Sequence, residues 1–287
     1  VTGSSLARML DVFDVAPAGA GRSAFTGGSD GGGRRVADGS QLLAQCVVAA
    51  SKTFPGRTVR SAHALFVAVA DPAQPLEFAV APVREGRSFA SATIAVGQGG
   101  RTCATCTVLL DRPGPDVVRH DAWTGPAPAG PGAAHPVDMP MRGREIRIED
   151  VRDYGDPDEV GPPVIDAWVR YEAVPERDDL RRALLAHFTG HLAISTTMRA
   201  HPGIGTAQAH DTVSTAVMGI AVHFHEPVRW DGWVRYHHES VYAGAGMSHV
   251  RGQIVTGDGR LLASFTQDGM IRAFEPRGQA MPAASRL

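Results

Sequence analysis

One stretch of the chain occurs twice. Gly100-Arg101-Thr102-Cys103-Ala104-Thr105-Cys106-Thr107 matches Gly259-Arg260-Leu261-Leu262-Ala263-Ser264-Phe265-Thr266 at Gly, Arg, Ala and Thr, an offset of 159 positions. At the same offset residues 62–66 fall on 221–225. A common offset held over so long a stretch points to a duplicated supersecondary unit, and it constrains the fold more than any single motif does.

The order of expected elements agrees with the duplication. In the first copy Gly39 and Ser40 precede a helical run over 41–53, whose Leu42, Leu43, Cys46, Val47, Ala49 and Ala50 cover most of the circumference. Only Gln41, Gln45 and Lys52 remain as a narrow polar stripe, so the helix is expected to be buried on most sides. Phe54-Pro55-Gly56 stops it. Strand patterns follow at 58–69, 76–83, 88–96 and 101–110, separated by turn residues. In the second copy a half-buried strand at 164–171 leads into a helical run at about 179–194. Aspartates at the start of that run suit the helix dipole. Strands are then expected at 215–225, 233–242, 249–256 and 260–267.

A helix that is apolar nearly all round needs a curved sheet wrapped about it. Each half therefore reads as an antiparallel sheet around a central helix, an α+β arrangement of the hotdog type, and two tandem repeats make a double hotdog. The expected division is an N-terminal repeat over 1–112, a Pro/Gly-rich linker over 113–160 and a C-terminal repeat over 161–287.

Composition narrows the partners. The 287 residues carry a net charge of −2, which disfavours nucleic acid or a membrane surface as the main ligand. No apolar run is long enough to span a bilayer, and the first residues lack a signal-peptide layout. Three cysteines are no disulfide framework in a chain able to bury a large core. These features lead to the expectation of a cytoplasmic protein without membrane insertion. Sheet edges and faces make a homo-oligomer the expected state.

Several stretches in this order resemble the acyl-CoA thioesterase II family of double-hotdog enzymes. Asp38-Gly39-Ser40-Gln41 resembles its Gly-Gly-Gln helix start, and Arg84-Glu85-Gly86-Arg87-Ser88-Phe89 its Arg-x-Gly-x-Ser-Phe turn. In the second half the His201-Pro202-Gly203-Ile204-Gly205 loop, Phe224-His225-Glu226-Pro227, Val250-Arg251-Gly252 and Gln267-Asp268-Gly269 are similar to family motifs. The resemblance runs from about Asp11 to Arg272. It implies hydrolysis of acyl-CoA to free fatty acid and coenzyme A by water attack, with acyl-CoA as partner, no cofactor and no metal. In that family an Asp, a Thr or Ser and a Gln hold the water. Gln267 matches the last of these, while the other two positions fall on Gly190 and Val217.

The chemistry sets what this departure demands. An amide orients water but takes no proton near neutral pH, and a general base is typically worth ~100- to 10,000-fold. Thr189, His191 and Thr215 lie within two residues of the altered positions, and His191 alone among them carries a base. The amides of Gly39, Ser40 and Gln41 would bind substrate by turning the positive end of the helix dipole on a developing oxyanion. The rival reading is a catalytically impaired acyl-CoA-binding protein on the same fold. Enoyl-CoA hydration on a related fold is a third, disfavoured because no Asp/His pair stands at a helix start.

Other constellations carry less. Cys103 and Cys106 on one strand would point to opposite faces, which favours buried core cysteines over a redox or metal pair. Gly27-Gly28-Ser29-Asp30-Gly31 has the spelling of a nucleophile elbow, but further glycines follow where a helix should start. The pairs His187/His191 and His223/His225 have chelating spacing without an acidic partner.

Overall fold

Two helices precede the first long strand. The first, α1 (Leu6–Phe13), starts at Ser5, whose hydroxyl accepts the Arg8 N–H, and buries Leu6, Met9, Val12 and Phe13. The second, α2 (Gly39–Thr53), is capped by Asp38 and buried along almost its whole length. The computed structural model describes residues 4–123, 129–139, 141–209, 211–230 and 232–274.

Strands β1 (Ala16–Pro17) and β2 (Ala24–Gly27) lie between these helices. Four long strands follow: β3 (Thr58–Phe66), β4 (Leu76–Glu85), β5 (Phe89–Gln98) and β6 (Arg101–Asp111). The second half opens with β7 (His135–Pro136), β8 (Arg144–Ile148) and β9 (Val164–Tyr171). Helices α3 (Asp178–Phe188) and α4 (Ala193–Met198) come next. The chain continues through β10 (Val213–Phe224), β11 (Val234–Gly244), β12 (Met247–Thr256) and β13 (Leu261–Ala273).

Among the described residues thirteen strands form one antiparallel sheet in the order β1-β2-β4-β5-β6-β3-β10-β13-β12-β11-β9-β8-β7. The halves join where β3 pairs β10, the two strands that the repeat makes equivalent. His63 faces Ala221, and Val222 faces Ala62, so the 159-residue offset maps one pair onto the other. The joint therefore has a local two-fold axis, the symmetry of an isologous dimer inside one chain. The sheet curves around the helices, and this is the double hotdog.

Helices α2 and α3 run antiparallel beneath the joint. At one end Ser40 abuts Gly190. At the other, Asp14 bridges Lys52 at 2.5 Å and Arg177 at 2.7 Å. Arg182 of α3 crosses between halves, donating to Val59 O at 3.2 Å and lying 5.1 Å from the centre of the Phe224 ring.

Three local features differ from the sequence reading. The polar stripe of α2 is not exposed, because α1 and the loop before α2 cover it. Gln41 and Gln45 are fully buried, and Gln45 Nε2 donates to Val12 O at 2.9 Å and Gly28 O at 2.8 Å. Within 113–160, β8 buries Ile146 and Ile148 and pairs with β9, while Arg142 hydrogen bonds the backbone around Ser4 and Leu6. The helical run expected over 179–194 is broken: α3 ends at Phe188, and Leu192 takes φ 65° before α4 begins. The cysteines are free and buried, Cys103 standing beside a register shift that opposes Val96 to Ala104 and Gly97 to Thr102.

Candidate active site

The start of α2, the α3–α4 turn and the middle of β13 converge on one region. Asp38 caps α2, its Oδ1 accepting the Ser40 N–H at 2.9 Å and the Ser40 hydroxyl at 2.8 Å. Its Oδ2 meets Arg34 at 3.3 Å. A Cβ at position 39 would sit 3.0 Å from the Phe66 ring, so any larger residue would have to displace that ring. The Gln41 N–H goes to Asp38 O, and the Gln41 Oε1 accepts the Asp30 N–H at 2.9 Å, leaving its buried Nε2 without a partner among the described residues. Of the three amides expected to face an oxyanion, those of Ser40 and Gln41 are thus already bonded. Among the described residues no hydrogen bond occupies the Gly39 N–H.

The α3–α4 turn lies against this helix start. A Cβ on Gly190 would fall 2.5 Å from Ser40 Oγ and 3.4 Å from Ile220 Cδ1, so no side chain fits while Ser40 is present. Ile220 pairs directly with Gln267, and paired residues share a sheet face. Gln267 is therefore on the inner face beneath the same turn, 1% exposed, with its Oε1 unpartnered among the described residues. It sits mid-strand, because β13 continues to Ala273 rather than ending at 267.

His191 is held by its neighbours rather than by a helix. Its ring stacks on Phe188 with centroids 5.0 Å apart and planes at 7°, and it meets the His187 ring edge-on at 4.9 Å. Its Nδ1 lies 3.2 Å from His187 O. A carbonyl only accepts, so Nδ1 carries the hydrogen and Nε2 of the neutral ring keeps a lone pair. Burial lowers the His191 pKa to about 4; Asp38 opposes that shift, while Arg144 and Arg34 add to it. His187 is pushed down in the same way, by burial and then by His191. Burial tends to raise Asp38, but the two imidazoles, the Ser40 hydrogen bonds and Arg34 outweigh it and hold the carboxyl at about 2. At neutral pH the region therefore presents one carboxylate and two neutral imidazoles.

The remaining sequence candidates are placed differently. Thr189 is fully buried and its hydroxyl donates to Ala186 O at 2.6 Å, which commits it to closing α3. Thr215 pairs with Ile271, four residues along β13 from Gln267, or roughly 13 Å. Val217 faces Gly269 and packs against the core. Sequence reasoning gave no role to Asp38, whose position reads as an ordinary helix cap. It also missed Arg144, which β8 brings to 5.7 Å from the Phe188 ring centre. Among the described residues no group of three or more His, Cys, Asp or Glu is arranged to hold a metal.

The lowered pKa of His191 and of a second histidine, the buried His238, makes acid sensitivity an expected result. His238 is also lowered to about 4, chiefly by burial, with His237 adding and Asp166 and the Ile165 and Tyr236 backbone opposing. An unfolded chain takes up protons on these residues below about 6.5, whereas the folded chain resists until about 4. Stability is thus full above 6.5, falls as the pH drops towards 4, and the contribution is gone below it. For the fully buried His238 this is worth roughly 3 kcal/mol. Urea midpoints measured from pH 7 to pH 4 should fall steadily, and His238→Gln should flatten part of that slope.

The fold and this site define a double-hotdog protein with a buried polar centre between its halves. A family model of the acyl-CoA thioesterase N-terminal domain matches residues 30–110, and one of the C-terminal domain matches residues 112–271. The chain belongs to the acyl-CoA thioesterase II family. It is 26% identical over 269 residues to acyl-CoA thioesterase 2 of Haemophilus influenzae, covering 88% of this chain and 93% of that one. Its structure is similar to that of the tesB protein of Mycobacterium avium subs paratuberculosis, with a TM-score of 0.78, 22% identity, and 93% and 99% of the two chains covered. A protein with a hot dog fold from Alicyclobacillus acidocaldarius matches with a TM-score of 0.74 at 19% identity, over 93% and 98% of the chains. Membership makes the chain a thioester hydrolase acting on acyl-CoA, in preference to the binding-only alternative.

Proposed function

We propose that this acyl-CoA thioesterase hydrolyses its substrate with a water held between His191 Nε2 and the Gln267 amide, at the start of α2. The single observation that carries this reading is the His191 ring itself: neutral, with Nδ1–H on a carbonyl and Nε2 left to accept. As the water oxygen bonds to the thioester carbon, one water proton moves to His191 Nε2. The Gly39 N–H and the dipole of α2 face the oxyanion. The carbon–sulfur bond then breaks, and the proton passes from His191 to the departing coenzyme A thiolate. Products are the free acid and the coenzyme A thiol.

Thr189 and Thr215 contribute in this reading as a helix-closing hydroxyl and a distant lining residue. Ser40 and Gln41 shape the helix start. Fatty acid metabolism in the cytoplasm is the setting we favour, supported by three free cysteines, as a reducing compartment leaves them. A homo-oligomer is supported by the exposed Leu65 and Leu109 on the outer face of β3 and β6.

The test is steady-state release of coenzyme A from short, medium and long acyl-CoAs by the wild type and Gln267→Ala. Turnover by the wild type that drops roughly tenfold or more in the variant is expected. Saturable binding without release above background would overturn the reading.

A further inference from the structure

Ser40 and Gly190 are 150 positions apart and pack against each other. The Ser40 side chain fills the space into which any side chain at 190 would project, and Ser40 in turn is held by Asp38 through both its hydroxyl and its N–H. The residue after Gly190 is His191. The interlock therefore does two things: it fixes the turn that carries the imidazole, and it sets a carboxylate beside that turn from the opposite helix. Three buried polar atoms around it lack partners among the described residues, namely His187 Nδ1, Gln41 Nε2 and Gln267 Oε1. So much unsatisfied polarity in one place is expected of a ligand site rather than of a core.

We infer that Asp38, anchored by Ser40 in the space that a side chain at 190 would need, is the carboxylate that stabilises the imidazolium forming on His191. The inference rests on His191 as the base. When His191 takes the water proton it becomes a cation in a poorly solvated place, near the guanidinium groups of Arg144 and Arg34. A fixed carboxylate offsets that cost during the step in which charge develops, and the proton then leaves with the thiolate. Asp38 is a positioning residue, because it acts on His191 and not on the substrate. The same geometry explains both departures at the helix ends as one change: a serine at 40 requires a glycine at 190, and the carboxylate enters from the cap of α2.

Asp38→Asn tests this without removing the cap, since asparagine caps helices as well as aspartate. Its Tm should stay within a few degrees of wild type while kcat falls on the order of 10- to 100-fold with KM little changed. Combined with His191→Gln it should cost nothing further, because no imidazolium remains to stabilise. The triple variant Asp38→Asn, Ser40→Gly, Gly190→Asp places a carboxylate next to His191 from the other helix, and it should regain rate over Asp38→Asn. A wild-type rate in Asp38→Asn, or losses that multiply with His191→Gln, would overturn the inference. A triple variant that folds yet stays at the Asp38→Asn rate would overturn it too. Loss in His191→Gln with none in Asp38→Asn leaves the base in place and removes only the carboxylate. No release by the wild type removes the reading beneath both.

Discussion

His191→Gln should cut kcat for coenzyme A release by about 100- to 10,000-fold, the usual worth of a general base. Glutamine keeps polarity and hydrogen-bonding reach but accepts no proton at neutral pH. It also loses the stack on Phe188, a contact typically worth ~0.5–1.5 kcal/mol, so a modest fall in Tm should accompany the loss of rate. His191→Phe separates the two effects by keeping the ring and discarding the lone pair; it should be as slow and more stable. In the wild type kcat should be level from pH 8 to about 5 and decline below, as His191 is protonated near 4. Asp38 and the hydrogen bond to the His187 carbonyl draw that limb upward, while Arg144 and Arg34 push it down. An unchanged kcat in both variants would remove His191 from the chemistry.

The largest structural effect is expected at Gly252. This residue of β12 pairs with Phe265 of β13 and His238 of β11. A Cβ there would run into the Phe265 ring and come 2.7 Å from His237 O. Neither obstacle yields easily. The carbonyl is backbone in a paired strand, and the ring is buried, with His238 edge-on at 5.2 Å. Gly252→Ala should destabilise by ~3 kcal/mol or more through overpacking, lowering Tm by roughly 5–10 °C. Gly257→Ala makes the control, since its nearest obstacle is Trp233 O at 3.8 Å, and it should shift stability by less than about 0.5 kcal/mol. Equal Tm values for the two variants would contradict the packing described.

Much of the architecture was legible because it repeats. Two copies with one offset located the long strands, and the apolar girth of α2 implied the sheet around it. What escaped had weak or conflicting local signals. Helix α1 is only eight residues long, too short for periodicity to stand out. Strand β8 does alternate, with Ile146 and Ile148 inward, but it lies among prolines and glycines that mask it. The end of α3 was overrun because Leu192, Ala193 and Ile194 keep the apolar pattern going, while the break depends on a backbone turn at Leu192. Within the site, Gln267 and the α2 start carry motif spelling and could be found. Asp38 could not, since its role depends on a contact between positions 40 and 190 that no local pattern encodes.

The joint between β3 and β10 gives the chain the symmetry of a dimer without its bookkeeping. In a true homodimer every substitution is made twice: a serine at a helix start appears on both subunits, and so does any glycine needed to receive it. Joined in one polypeptide, the two halves accept changes one at a time. Ser40 stands at the start of one helix and Gly190 just past the end of the other, while the start of α3 carries Arg177 and its acidic neighbours. A single polypeptide thus makes two separately changeable addresses of what two equal partners would share as one surface.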